Sequence, residues 1–354
     1  MAAVVTGVVF GGALAASGVY QPSVILSQLK WENQHMLQAF LTATAASAIV
    51  STAAQKLGYA QFSPRQYADR GWFAPYDGNV VGGLALGAGM ALSGACPGTV
   101  LAQTALNIRS GYYALGGGLL GGLAWAALLR PAVARKPQTA TSADAGTSRA
   151  GPAFSRPPLP LNIQGLLGVS TGTALVGLEL VFAAIVYASV ARFGAGPDAR
   201  ISPVLGGLLI GLAQLVSVAV RKTMLGVSTV YEDAGDWLLY ATSAPKRGTS
   251  AKAWPPINSV LFSLGIVAGA RLVFSLFPAF AMLSSASSTS PTAGALAVTP
   301  ASAALGGFIM ALGSRVAGGC TSGHGISGMA LFSLSSYITM AATFVGGGLV
   351  AFLR

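Results

Sequence analysis

The sequence predicts an all-α membrane protein: about nine transmembrane helices and four short re-entrant or half helices, related as an inverted repeat about a pseudo-two-fold axis. Three observations carry this expectation. The chain of 354 residues is 53% hydrophobic and only 8% charged, with a mean hydropathy of +0.66, whereas a soluble domain carries about 25% charged residues. Apolar runs recur at lengths near the ~20 residues a helix needs to cross a ~30 Å hydrocarbon core. Two glycine-rich stretches repeat one another, and each holds one of the two cysteines. The alternating ten-residue segments of a β-barrel are missing.

Spans are expected near residues 3–20, 36–54, 79–95, 111–129, 164–190, 203–220, 256–283, 301–317 and 335–353. The first lacks a basic leader and reads as a true span rather than a cleavable signal. Four apolar segments, 22–30, 97–108, 224–240 and 320–333, are too short to cross. Broken segments of this kind survive at membrane depth only when buried in protein or lining a cavity. Residues 130–162 differ in kind, with Pro, Ser, Thr and basic residues, and read as a flexible linker.

The order of spans and short segments repeats. Residues 1–129 form one half of four spans and two short helices, and 200–354 form the other. The span at 163–192 stands between them, beyond the linker. Four spans plus one is odd, so the second half enters with opposite orientation. The spacing of the motifs agrees: Gly83 precedes Cys96 by 13 positions, and Gly307 precedes Cys320 by 13.

The net charge of +11 lies in loops, with no basic helix or zinc-finger spacing, so no nucleic-acid partner is expected. It is a topology signal. One side would hold Lys56, Arg65, Arg70, Arg130, Arg135, Lys136, Arg149, Arg156, Arg221, Lys222, Lys246, Arg247 and Lys252. The other would hold Lys30, Arg109, Arg192, Arg200 and Arg354. The first side is then cytoplasmic, as is the N-terminus, with the C-terminus outside. The expected location is the plasma membrane.

In Ala95-Cys96-Pro97-Gly98, proline suits the first turn of a helix, so a half helix should begin near Pro97. Cys320 precedes Thr321-Ser322-Gly323-His324, where the hydroxyls of Thr321 and Ser322 can cap a helix or donate to a ligand. Two helix N-termini at mid-depth would favour an anion. Gln103, two turns after Cys96, either lines the path or bonds between helices. His324 in a glycine-rich turn reads as a substrate contact or a structural hydrogen-bonder, and His35 is expected at the membrane interface. Arg271, Arg315 and Glu179 fall within apolar runs, where charge is functional or paired. Arg315, five residues before Cys320, is the candidate for attracting an anion. Few acidic residues lie in spans, which argues against a cation or proton pathway. No metal or other cofactor is expected.

Gly94-Ala95-Cys96-Pro97-Gly98 with Gln103, and Gly318-Gly319-Cys320-Thr321-Ser322-Gly323-His324-Gly325-Ile326-Ser327-Gly328, resemble the YeeE/YedE family of sulphur-transport membrane proteins. The linker and composition suit a fungal member. The resemblance implies uptake of thiosulfate or a related small anion through an hourglass-like path with cysteines at its constriction. A cytoplasmic sulphur-using enzyme would be a further partner. The chain departs from bacterial members in the first re-entrant segment, Ser17-Gly18-Val19-Tyr20-Gln21-Pro22, which has no thiol. Tyr20 and Gln21 are the candidate donors there. Transport is thus the expected function. The alternative is a membrane sulphurtransferase that forms a cysteine persulfide, against which stands the lack of a general base beside Cys96. A purely structural membrane protein would not need matched thiols.

Overall fold

A computed structural model describes residues 1–134, 160–194, 201–242, 254–277 and 298–354. Most of the expected linker, 135–159, lies outside the described residues, as do 278–283 of the expected seventh span. The described residues form helices, with one isolated bridge between Asn162 and Ser333.

The first half runs α1 (Ala2–Ala16), α2 (Pro22–Leu29), α3 (His35–Lys56), α4 (Asp77–Ser93), α5 (Thr99–Ala105) and α6 (Arg109–Ala124). A π-helical turn, Trp125–Leu129, carries α6 into α7 (Arg130–Ala134). Then come α8 (Ile163–Leu167) and α9 (Thr171–Phe193). The second half holds α10 (Pro203–Arg221), α11 (Thr229–Thr242), α12 (Asn258–Leu276) and α13 (Pro300–Val316). A second π-helical turn, Ser322–Gly328, leads to α14 (Leu334–Leu353).

Local chemistry sets these ends. Proline opens α2, α10 and α13, where its missing N–H costs nothing. The side chains of Asn162, Ser170, Ser202 and Thr299 cap α8, α9, α10 and α13. The span expected at 164–190 is broken after Leu167, because Gly168 takes a left-handed conformation (φ +65°).

Among the described residues, six helices have the length and apolarity to cross a membrane: α3, α6 with its π-turn, α9, α10, α12 and α14. The other three expected spans are shorter. α1 has 15 residues, and α4 and α13 have 17 each, or roughly 22–26 Å at 1.5 Å per residue. α9 touches little but α3 and exposes Val176, Leu180, Val181, Ile185 and Tyr187. Such an apolar face belongs against lipid.

Glycine decides how the helices meet. α1 packs on α12, with Gly7 against Gly265, Gly11 against Ile266 and Gly269 against Val8. α4 packs on α13, with Gly82 and Gly89 against Gly306 and Gly313. Without a hydrophobic drive between helices in lipid, such close backbone approach supplies the attraction. The pairings also exchange between halves. α1 lies on α12 and α10 on α3, while α4 lies on α14 and α13 on α6.

Neighbouring glycines in α6 test this packing. A Cβ on Gly117 would overlap the backbone of Ala304, whereas one on Gly116 would meet nothing within 4 Å. Gly117→Ala should sharply reduce the yield of monodisperse protein in detergent. Gly116→Ala should leave it unchanged, or raise stability by about 0.5–1 kcal/mol through helix propensity. Size-exclusion profiles and thermal melts check both, and equal behaviour of the two variants would contradict the packing.

Candidate functional site

The two cysteine loops are built alike. α4 stops where Gly94 turns left-handed (φ +62°), and a side chain there would press on Pro22 at 2.9 Å. The Cys96 N–H donates to Thr99 Oγ1 (2.7 Å), and the Thr99 N–H donates to Cys96 Sγ (3.4 Å). The thiol is therefore a helix cap as well as a buried group. Val100 N–H to Cys96 O (3.0 Å) closes the first turn over Pro97 and Gly98.

Gln103 ties this loop to the first re-entrant segment. Its amide donates to Tyr20 O (2.7 Å) and Gly94 O (2.9 Å), and its Oε1 is buried without a partner. The Tyr20 ring packs edge-on against Phe274. Gln21 is buried, with its Oε1 unpartnered. His35 is buried at the start of α3, with Nε2 2.7 Å from Ser17 O.

In the second loop Cys320 is fully buried and its Sγ lies 3.2 Å from Ser322 Oγ. His324 is held at both ring nitrogens, Nδ1 at 2.9 Å from Ser336 Oγ and Nε2 at 3.2 Å from Ala317 O. A carbonyl only accepts, so Nε2 carries a proton. The ring thus braces the turn with its own polar atoms. Thr321 Oγ1 is buried with no partner. Thr321 also lines a cavity of about 210 Å³ walled by Met36, Met90, Met329, Met340 and Phe40, which neither thiol reaches.

Tyr231, on α11, ties that helix to the first cysteine loop. It is fully buried and its hydroxyl donates to Pro97 O (2.8 Å). Gly118 and Gly122 of α6 leave room for it. Its neighbour Glu232 pairs with Arg315 and with Arg130 (3.0 Å), and Arg130 also pairs with Asp236 (2.7 Å). The Arg315 charge is thereby already matched by an internal carboxylate. Arg271 lies exposed near the end of α12, at 3.5 Å from Ala105 O, and one Glu179 oxygen is buried without a partner.

Two further arginines enter from the loop between α3 and α4. Arg70 donates to the last carbonyls of α13, Arg315 O and Val316 O, where a cation suits the helix C-terminus. Arg65 donates to Gly318 O (3.0 Å) and makes no ion pair among the described residues. Burial pulls its pKa below the ordinary arginine value, Cys320 opposes that shift, and Arg315 adds to it. Arg65, Arg70, Tyr231 and Glu232 were not singled out from sequence. The first two looked like loop charges, and the acidic residue in apolar α11 was the available signal for the last.

The described residues contain no group of three His, Cys, Asp or Glu side chains that could hold a metal. Two buried thiols, hydroxyls, amides and guanidinium groups can attract and coordinate an anion. The sequence profile of the family described as sulphur transport matches residues 16–349. The chain belongs to the sulphur transport family. It is also 28% identical over 145 residues to a "Probable transporter" of Xylella fastidiosa strain Temecula1, and 30% identical over 146 residues to one of strain 9a5c. Each match covers 87% of the relative and 41% of this chain, so those relatives are about half as long. As a member of the sulphur transport family with six apolar helices of crossing length, the chain is an integral membrane transporter.

The pair at Glu232 gives a stability test. Glu232→Gln leaves Arg315 without its carboxylate and should destabilise the protein by about 1–3 kcal/mol. Adding Arg315→Met should recover part of the loss, since removing both partners avoids the stranded charge. Thermal melts of the three variants check this. Additive losses would contradict a direct pair.

Proposed function

We propose that the chain carries a small sulphur oxyanion, thiosulfate in the first instance, along a narrow path with Cys96 and Cys320 at its constriction. The observation that carries the reading is the burial of both matched thiols in the two glycine-stopped loops, the first of them braced by the Tyr231 hydroxyl at Pro97 O. The path would run through an inverted repeat of four spans per half, with α9 between. Several facts support that architecture. Helix pairings exchange between halves. Seven residues after Cys96, Gln103 donates to Tyr20 O. Seven residues after Cys320, Ser327 donates to Leu225 O (2.6 Å). Relatives about half as long suit a duplicated unit. Three of the nine crossings would then be the short glycine-lined helices α1, α4 and α13.

Bringing a dianion into low dielectric is prohibitive unless it is compensated. α5 and the second π-turn have seven residues each, about two turns, so their dipoles are small. Guanidinium groups must supply more of the compensation. Neutral thiols are weak donors, which suits a path that has to release as well as capture. No covalent step is needed. Pro97, Gly98, Thr321 and Ser322 shape the loops around the thiols, Gln103 and His324 hold the neighbouring backbone in place, and Tyr20 and Gln21 line the path beside them. The N-terminus and the 130–162 linker would be cytoplasmic and the membrane the plasma membrane, with a cytoplasmic sulphur-using enzyme receiving the product.

Selectivity tests the thiols. Thiosulfate and sulfate share charge and shape and differ at one terminal atom, so Coulomb attraction alone treats them alike. Groups touching that atom must discriminate. Cys96→Ser or Cys320→Ser should reduce uptake of labelled thiosulfate into liposomes more than residual sulfate uptake, and the alanine variants should abolish thiosulfate uptake. Equal inhibition of wild-type thiosulfate uptake by unlabelled sulfate would sink the thiosulfate reading. A persulfide on either cysteine after incubation with thiosulfate, seen by mass spectrometry, would favour a sulphurtransferase instead.

Topology is tested separately. Protease added outside sealed cells should spare residues 130–162, and cleavage there would reverse the orientation.

A further inference from the structure

The glycines of the second cysteine motif have a use beyond turn geometry. A Cβ on Gly319 would lie 2.8 Å from Arg65 Nη1, and one on Gly323 would lie 2.9 Å from Arg65 Nη2. One on Gly328 would come within 3.1 Å of Arg65 Cδ, and one on Gly226, in the loop before α11, within 3.7 Å of Nη2. Gly319 and Gly323, on either side of Cys320 in the turn, therefore leave the space that the Arg65 guanidinium fills. Ser333 and Ser335 fix its backbone by donating to Arg65 O at 3.0 and 3.2 Å.

This costly placement is not explained by internal pairing. Among the described residues the Arg65 side chain makes one hydrogen bond, to Gly318 O through Nη1. No carboxylate of the described residues pairs with it, unlike Arg315 and Arg130, which share Glu232. Its Nη2 edge lies in the gap between Gly226 and Gly323. That gap lies beside Cys320, which stands between Gly319 and Gly323 in the turn. A partly buried guanidinium with an open edge is suited to a planar pair of oxygens, which it can grip with two parallel bonds.

Resting on the transport reading above, we propose that Arg65 is the anion-binding residue at the Cys320 end of the path, gripping the oxygen end of the sulphur oxyanion while its terminal atom faces the thiol. The two groups divide the labour. Arg65 reads the oxygens common to thiosulfate and sulfate, and Cys320 reads the atom in which they differ. Lysine would not replace it, because a single ammonium cannot straddle two oxygens.

Equilibrium binding of labelled thiosulfate and of labelled sulfate to the full-length protein in detergent tests this. The panel is wild type, Arg65→Gln, Arg65→Lys, Cys320→Ser and, as a control at the end of α9, Arg192→Gln. Arg65→Gln should weaken both anions by about tenfold or more, and Arg65→Lys by several-fold. Cys320→Ser should weaken thiosulfate alone, and Arg192→Gln should match wild type. Wild-type affinities in Arg65→Gln would overturn the assignment and leave the thiosulfate reading standing. Should that variant not fold, wild-type affinities in a folded Arg65→Lys would overturn it. If wild type binds both anions equally and Arg65→Gln loses both, Arg65 stands and thiosulfate selectivity falls. If wild type binds neither anion, both ideas fall.

Discussion

Irregular backbone at membrane depth must find its hydrogen bonds inside the protein, and this constraint organises the molecule. The chain breaks its helices near both cysteines, which frees carbonyl and amide groups where no lipid can satisfy them. Polar side chains then take up those groups. Gln103 serves Tyr20 and Gly94, Ser327 serves Leu225, and Tyr231 serves Pro97. His324 serves Ala317, while Arg70 serves the end of α13. A buried polar residue in this protein is by default a brace, and its presence near a cysteine says little about substrate contact.

What remains after that accounting is small. Around the cysteine loops it includes the two thiols, the Thr321 hydroxyl, Gln103 Oε1 and Gln21 Oε1, the last three buried without partners, and the open edge of Arg65. Close helix packing works to the same end. Glycine seams bring α4 and α13 into backbone contact at the centre, which leaves little volume that is not occupied by protein. The methionine-walled cavity is lined by Thr321 but by neither thiol.

The helical class was legible in the sequence, because apolar run length and proline or glycine stops report directly on local backbone; of the nine expected spans, six correspond to helices of crossing length among the described residues. The two cysteine loops were legible through their equal spacing from Gly83 and Gly307. The roles of side chains were less so. Arg315 stood out as a lone intramembrane charge, yet its partner Glu232 arrives from a helix more than eighty positions earlier. His35 read as interfacial because it begins a helix; its burial against Ser17 is set by the fold. Arg65 lies in an ordinary basic loop, and only the fold brings it to the Cys320 turn. Sequence spacing encodes contacts within an element. It does not encode which distant loop will fill a space left by glycine.

The central claim is that the anion passes by the two thiols. A cryo-electron microscopy structure of the full-length protein soaked in thiosulfate tests it most directly. The account predicts density in contact with the Sγ of Cys320 or Cys96, with its oxygen end toward Arg65 when it lies at Cys320. Density lodged in the methionine-walled cavity, with neither thiol in contact, would contradict the account.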